Sequence, residues 1–216
     1  MKIFISIDGV LRNTIQKFDY HYKDAYLNSE FSEETDFEYN VVEPIKNNNI
    51  LDSYRFQSKE EFEYFTFIEY PIEIFGHAGL SYSTTFTDLN KMIYENPNNE
   101  YTLIGLDEFG KAKPATLFFL SKNGFLGYNI KFSNTDKIKS LWDECDCWIT
   151  DNEKIISSCP ENKIAVKFKT DYNQYFTYNK EISKLTEIDE SWLTFTEKHT
   201  TLISMELQND VKQEEQ

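Results

Sequence analysis

The residues best placed to do chemistry stand near the start of the chain, in Ile3-Phe4-Ile5-Ser6-Ile7-Asp8-Gly9-Val10-Leu11. Lys2 to Ile7 is a short, β-branched apolar run, the pattern of a buried strand, and Asp8-Gly9 ends it. A buried parallel strand that closes on an acidic residue and a glycine presents side chains at the carboxyl edge of its sheet, where open α/β sheets bind ligands. Ser6 and Asp8 are two apart and project from the same side of the strand. The glycine lets the backbone turn sharply beside them. As a nucleophile, Ser6 would need an adjacent base, usually histidine. Of the histidines His21, His77 and His199, His77 follows Phe75-Gly76 and is the one that could fold over the strand end, although a surface histidine is the simpler reading.

Other groupings have plainer readings. Cys145, Cys147 and Cys159 do not match the paired spacing of a closed zinc site, and an odd number clustered late is not a disulfide framework. Cys147 reads as a small hydrophobe in a short strand, flanked by Trp142 and Trp148 in the core. The acidic run Glu30, Glu33, Glu34, Asp36 and Glu38 lacks the ligand spacing of a calcium loop and reads as a solvated face. Tyr70 to Gly79, with proline, aromatics and two glycines, reads as a fixed turn that either closes over the pocket or anchors the middle region to the core. Residues 192–207 carry Trp192, Phe195, Leu202, Ile203, Met205 and Leu207, which are costly to expose together. They either cover the chain's own sheet or form an arm for self-association or a protein partner.

These residues need a scaffold. At a typical domain size of roughly 150 residues, the 216 residues make one large domain or one with an insertion. The net charge of −15 opposes binding to nucleic-acid backbones and anionic membranes. Aromatics at 16% supply the area for a real core. No run approaches the roughly 20 apolar residues that span a bilayer, and the first residues lack signal-peptide features, so a reducing cytoplasmic setting is expected. Beyond the first strand, Ser58 with Glu61 has capping-box spacing and predicts a helix from Ser58 to Ile68. A second helix is expected from Thr87 to Tyr94, with Leu89, Met92 and Ile93 inward. Strands at 101–106, 128–132, 147–149 and 163–168 then alternate with helices at 114–122, 135–142 and 152–157. This rhythm implies parallel βαβ units.

The opening segment resembles motif I of the haloacid dehalogenase (HAD) superfamily, an apolar strand followed by Asp-x-Asp-Gly-x-Leu. Asp8, Gly9 and Leu11 match, and Ser6 stands where the family has its first aspartate. Residues 101–152 are similar to the nucleotidase-like branch. Lys113-Pro114 opens a helix with Phe118, Phe119 and Leu120, and Cys147-Trp148-Ile149-Thr150-Asp151-Asn152 stands for a strand ending in Asp-Asp. The resemblance covers about half the chain. It implies a three-layer Rossmann-like HAD sandwich with a parallel central sheet and a cap-type insertion after the first strand. The divisions are residues 1–13 and 100–190 for the core, 14–99 for the insertion and 191–216 for a C-terminal extension.

The resemblance also implies roles. The family's first motif I aspartate forms an aspartyl-phosphate, its second moves a proton, a Thr or Ser after the second strand and a Lys hold the phosphate, and acidic residues help hold Mg²⁺. Here Asp8 keeps the proton-moving position, and Ser6 cannot form an acyl phosphate. Gly105 or Leu106 stands at the hydroxyl position, and Lys137 or Lys139 at the lysine. Thr150 replaces the first motif IV aspartate, while Asp151 keeps the second. Asp8 and Asp151 are thus the remaining metal ligands. Changes at several distinct jobs point to a catalytically degenerate HAD-like protein, a binding or structural module with no cofactor. The alternative is a Mg²⁺-dependent phosphatase or 5′-nucleotidase-like hydrolase in which Asp8 activates water. Lost chemistry, a composition typical of AT-rich genomes and the apolar C-terminal segment fit a viral protein, including one of a phage particle. The acidic charge favours a protein partner.

Overall fold

The computed structural model describes residues 1–28, 37–47, 49–106, 110–127 and 129–193. Its centre is a six-stranded, all-parallel sheet formed by β1 (Lys2–Ser6), β4 (Glu100–Leu106), β5 (Asn129–Ser133), β6 (Cys147–Thr150), β7 (Ile164–Phe168) and β8 (Glu181–Ile182). Their spatial order is β5-β4-β1-β6-β7-β8. Numbered by chain order these run 3-2-1-4-5-6, the order of Rossmann-like doubly wound sheets. The chain reverses its winding direction between β1 and β6, so a crevice opens where those two strands end.

Both faces are covered, because alternate residues of each strand supply different layers. Ile3, Ile5, Leu103, Ile149 and Val166 pack with Phe86, Leu89 and Met92 of α4 (Thr85–Glu95) and Phe119 and Leu120 of α5 (Lys113–Lys122). On the opposite face Phe4, Ile104, Trp148 and Ala165 pack with α6 (Ile138–Asp143) and α7 (Glu153–Ser157). Trp142 and Trp148 meet edge to face at 5.3 Å in this layer. Cys145 and Cys147 are buried free thiols. Burial pushes Cys145 up to about 12, as expected of packing groups rather than reactive ones. Leu193 packs into the first layer, with Trp192 against it. Phe195 to Leu207 lie outside the described residues. No helix among the described residues is long and apolar enough to cross a membrane.

The region after β1 folds over the carboxyl edge of the sheet. It leaves and returns through a two-stranded antiparallel neck, β2 (Arg12–Asn13) with β3 (Gly79–Leu80). Between them lie α1 (Thr14–Tyr22), α2 (Ile50–Ser53) and α3 (Lys59–Tyr64). Three π-helical turns, Lys23–Leu27, Phe65–Glu69 and Ile72–Gly76, also belong to this region. Ser58 caps α3 by accepting from the Glu61 amide at 3.1 Å. The expected helix changes to π geometry at Phe65.

This region has its own aromatic cluster of Phe18, Tyr22, Tyr26, Tyr39, Tyr54 and Phe65. The Phe18 ring lies 4.9 Å from Tyr54 and 5.4 Å from Phe65. Buried tyrosines stay satisfied, Tyr54 donating to Asp19 at 3.0 Å and Tyr39 to Glu61 at 2.6 Å. The segment with its own cluster is shorter than residues 14–99, because α4 packs on the sheet instead.

Phe18 is 1% exposed at the middle of the cluster. Phe18→Ala should therefore cost about 3–5 kcal/mol, measured by denaturant unfolding.

Candidate functional site

The crevice at the ends of β1 and β6 holds Ser6, Asp8, Thr150 and Asp151 together, as their positions in the sequence imply. Ser6 is nearly buried and locked. Its Oγ accepts from the Trp148 indole N–H at 3.1 Å and donates to Thr150 Oγ1 at 2.9 Å. Thr150 also accepts from the Asn152 amide at 3.2 Å. The proton of Ser6 is thus directed at another hydroxyl, not at a base. Among the described histidines, His77 is exposed against the Phe118 ring, and His21 stacks on Tyr70. Neither lines the crevice. His199 lies outside the described residues.

Asp8 is held by Arg12, a residue the sequence reading passed over. The guanidinium is 1% exposed and grips the carboxylate with two bonds, Nε to Oδ1 at 2.7 Å and Nη2 to Oδ2 at 3.1 Å. Thr14 donates to the same Oδ1. Arg12 Nη1 donates to the Phe75 carbonyl at 3.1 Å and to Thr116 Oγ1 at 3.0 Å. The rings of Phe75 and Phe119 lie 5.0 and 5.6 Å from its central carbon. Such a bidentate pair is the strongest form of carboxylate recognition available to a side chain. The one sequence signal for it is a cation four residues after Asp8 in a chain with few cations.

Asp151 is also unusual. It is 4% exposed, accepts from the Tyr172 hydroxyl at 2.5 Å, and faces Gly9. Gly9 has φ +77°, and a Cβ there would lie 2.0 Å from the Asp151 carboxyl carbon. Only glycine allows the two segments this close. Burial pushes the Asp151 carboxyl up to about 7, Tyr172 opposes this by its hydrogen bond, and the charge of Asp8 adds to it.

The sequence-derived phosphate positions are not assembled around these groups. Lys137 and Lys139 are exposed and do not line the crevice. They flank Ile138, which does, and a helical turn sends its neighbours outward. Lys154 at the rim is the lysine lining the crevice among the described residues. At Gly105 a Cβ would approach Phe132 Cδ1 to 2.8 Å, so an aromatic ring crowds the position where the resemblance places a phosphate-holding hydroxyl.

Nor does the donor set suit Mg²⁺, which takes hard, charged oxygen ligands. Asp8 is neutralised by Arg12, Ser6 and Thr150 are neutral and bonded to each other, and burial raises the Asp151 carboxyl to about 7, so it carries only part of a charge near neutrality. No group of three or more acidic, His or Cys side chains placed to hold a metal ion exists among the described residues.

Above this polar floor the crevice widens to a cavity of about 500 Å³. Its roof is apolar, from Ile15 and Phe18 of α1, Ile50 and Leu51 of α2, Phe62 of α3, and Phe67 and Phe75 of the π-helical turns. Segment 70–79 therefore does both jobs open to it: Ile74 and Phe75 line the cavity, and the Phe75 carbonyl anchors to Arg12. Of the acidic run, Glu38 is exposed and 3.9 Å from Arg55, and Glu30, Glu33, Glu34 and Asp36 lie outside the described residues. No family model matches the chain, and no curated protein matches it in sequence.

A carboxyl with a raised folded-state pKa stabilises the fold below its unfolded pKa, and that contribution is lost as pH rises through the folded value. The wild-type protein should lose stability relative to Asp151→Asn between about pH 4 and pH 7, by on the order of 4 kcal/mol. Paired urea titrations at several pH values measure this difference.

Proposed function

We propose that this chain is a HAD-like protein that has given up phosphoryl chemistry and keeps its crevice, roofed by a cap-type insertion, as a binding or structural module without Mg²⁺. The observation that carries the reading is the bidentate capture of Asp8 by buried Arg12. An internal guanidinium now supplies the positive charge that a metal would bring to this carboxylate. The lone pairs Asp8 would use to accept a proton are engaged by Arg12 and Thr14. The closed hydroxyl chain at Ser6 and the Phe132 ring at Gly105 support the same reading, because each blocks a different catalytic role. Fold alone carries no activity, so the weight rests on these contacts.

One feature favours the alternative, hydrolysis by an activated water. The Asp151 carboxyl, near 7, has the proton affinity of a general acid or base. Its neighbours are Tyr172 and Gly9, and water activation would still fall to a carboxylate already bound to a cation.

Purified protein should release no phosphate from p-nitrophenyl phosphate or nucleoside monophosphates, with or without Mg²⁺, above the buffer rate. Turnover that Asp8→Asn abolishes would overturn the proposal. The stability of that variant is a second test. Catalytic groups are often neutral or costly to stability. A partner to a buried arginine is not, so Asp8→Asn should destabilise by about 2–4 kcal/mol, less than a fully buried pair would because Asp8 itself is part-exposed.

A further inference from the structure

The cavity between the sheet edge and its aromatic roof differs in electrostatic character from a phosphate site. Arg12 has five N–H donors. Those at Nε and Nη2 reach Asp8, and Nη1 reaches both Thr116 and Phe75. Its faces lie against Phe75 and Phe119. Four of the five donors are thus engaged, and the carboxylate of Asp8 already neutralises the charge of this cation. Asp8 and Arg12 cancel in charge. Asp151 adds negative charge or none, which repels an anion or ignores it. At the rim the exposed side chains Asp136 and Lys154 carry opposite signs. Among the described residues the cavity lining offers a dianion Lys154 at the rim and no cation at the floor that is free of a carboxylate, so much of its desolvation would go uncompensated.

The roof offers a different kind of binding free energy. Phe62, Phe67, Phe75, Phe132, Leu51 and Ile138 supply apolar walls. The volume of about 500 Å³ falls within the roughly 300–1,000 Å³ of small-molecule sites. Two of the walls come from π-helical turns, Phe65–Glu69 and Ile72–Gly76. This rare geometry gathers at functional sites. Thr66, in the first of them, lines the cavity and is 3% exposed, and its hydroxyl has no partner within the described structure.

Resting on the reading of the crevice as a retained binding site, we infer that the cavity takes an uncharged, flat, largely apolar small molecule with a hydrogen-bonding group, and discriminates against the corresponding phosphate ester. The ligand buries its apolar surface among the aromatic side chains, and its polar group meets the Thr66 hydroxyl, which is unpartnered among the described residues.

The test uses one matched pair of probes, 2-naphthol and 2-naphthyl phosphate, with the full chain at near-neutral pH and ligand-observed saturation-transfer NMR titrations. The naphthol should bind saturably and the phosphate at least about tenfold more weakly. Ile15→Trp, which fills the cavity from α1, should abolish naphthol binding while the protein still melts cooperatively. If that variant does not fold, Leu51→Trp fills the same space from α2, where the residue is 47% exposed and tolerant of size.

Equal or tighter binding of the phosphate overturns the inference, as does absence of naphthol binding or naphthol binding that persists in the folded, filled variant. Release of inorganic phosphate from the ester would instead overturn the non-catalytic reading on which the inference rests, so the two failures are read separately.

Discussion

A full positive charge buried at the neck of the insertion is the constraint around which the rest is arranged. Taking a guanidinium out of water costs several kcal/mol even after relaxation, and Arg12 is compensated by an ion pair, four hydrogen bonds and two ring contacts. The answers come from three parts of the chain: Asp8 after the first strand, the carbonyl and ring of Phe75 in the insertion, and Thr116 and the Phe119 ring in α5. Each carries a geometric demand with it. Asp8 must sit in the tight turn that Gly9 permits, and Gly9 must lack a side chain because Asp151 fills that space. The neck strands must pair so that Arg12 points inward. The crevice is therefore one connected solution to a desolvation problem, built at the position where a doubly wound sheet offers a ligand site.

The sheet was legible because period and punctuation are local. Each strand of the core from 101 to 168 declared itself by a short apolar run between helical segments, and the βαβ rhythm implied parallel pairing. The winding order could not be read, since it depends on where each crossover lands. β8 was missed because Glu181–Ile182 is two residues long and holds its place through its neighbour, with Lys167 reaching Glu181 at 2.9 Å. The neck pair Arg12–Asn13 and Gly79–Leu80 was invisible for a similar reason: two short segments far apart in sequence have no pattern of their own.

The site was legible in its acidic members and illegible in the group that controls them. Ser6, Asp8, Thr150 and Asp151 all stand at strand ends, which a sequence can show. Arg12 follows the motif by one residue and looks like any loop cation until burial is known. Phe132 at Gly105 is the same kind of omission, since it needs the register between β4 and β5, where Gly105 faces Phe132. The resemblance points to Lys137 or Lys139 by their place on the helix that follows β5, and the local helical phase turns both side chains out to solvent. What sequence reasoning lacks in each case is a distance between segments remote in sequence.

The bond from Arg12 to the Phe75 carbonyl also bears on kinetics. A roof hinged only at its neck could lift as a unit, and ligand exchange would then follow the rate of that swing. Here the roof is stapled to the floor through a donor enclosed by aromatic rings, and lifting it would expose a bare guanidinium to an apolar shell. Passage in and out is left to side-chain rotations at the mouth, such as those of exposed Leu51 and Lys154. Rotations of exposed side chains take picoseconds to nanoseconds, so the residence time of any occupant would follow the depth of its own well and not the mouth.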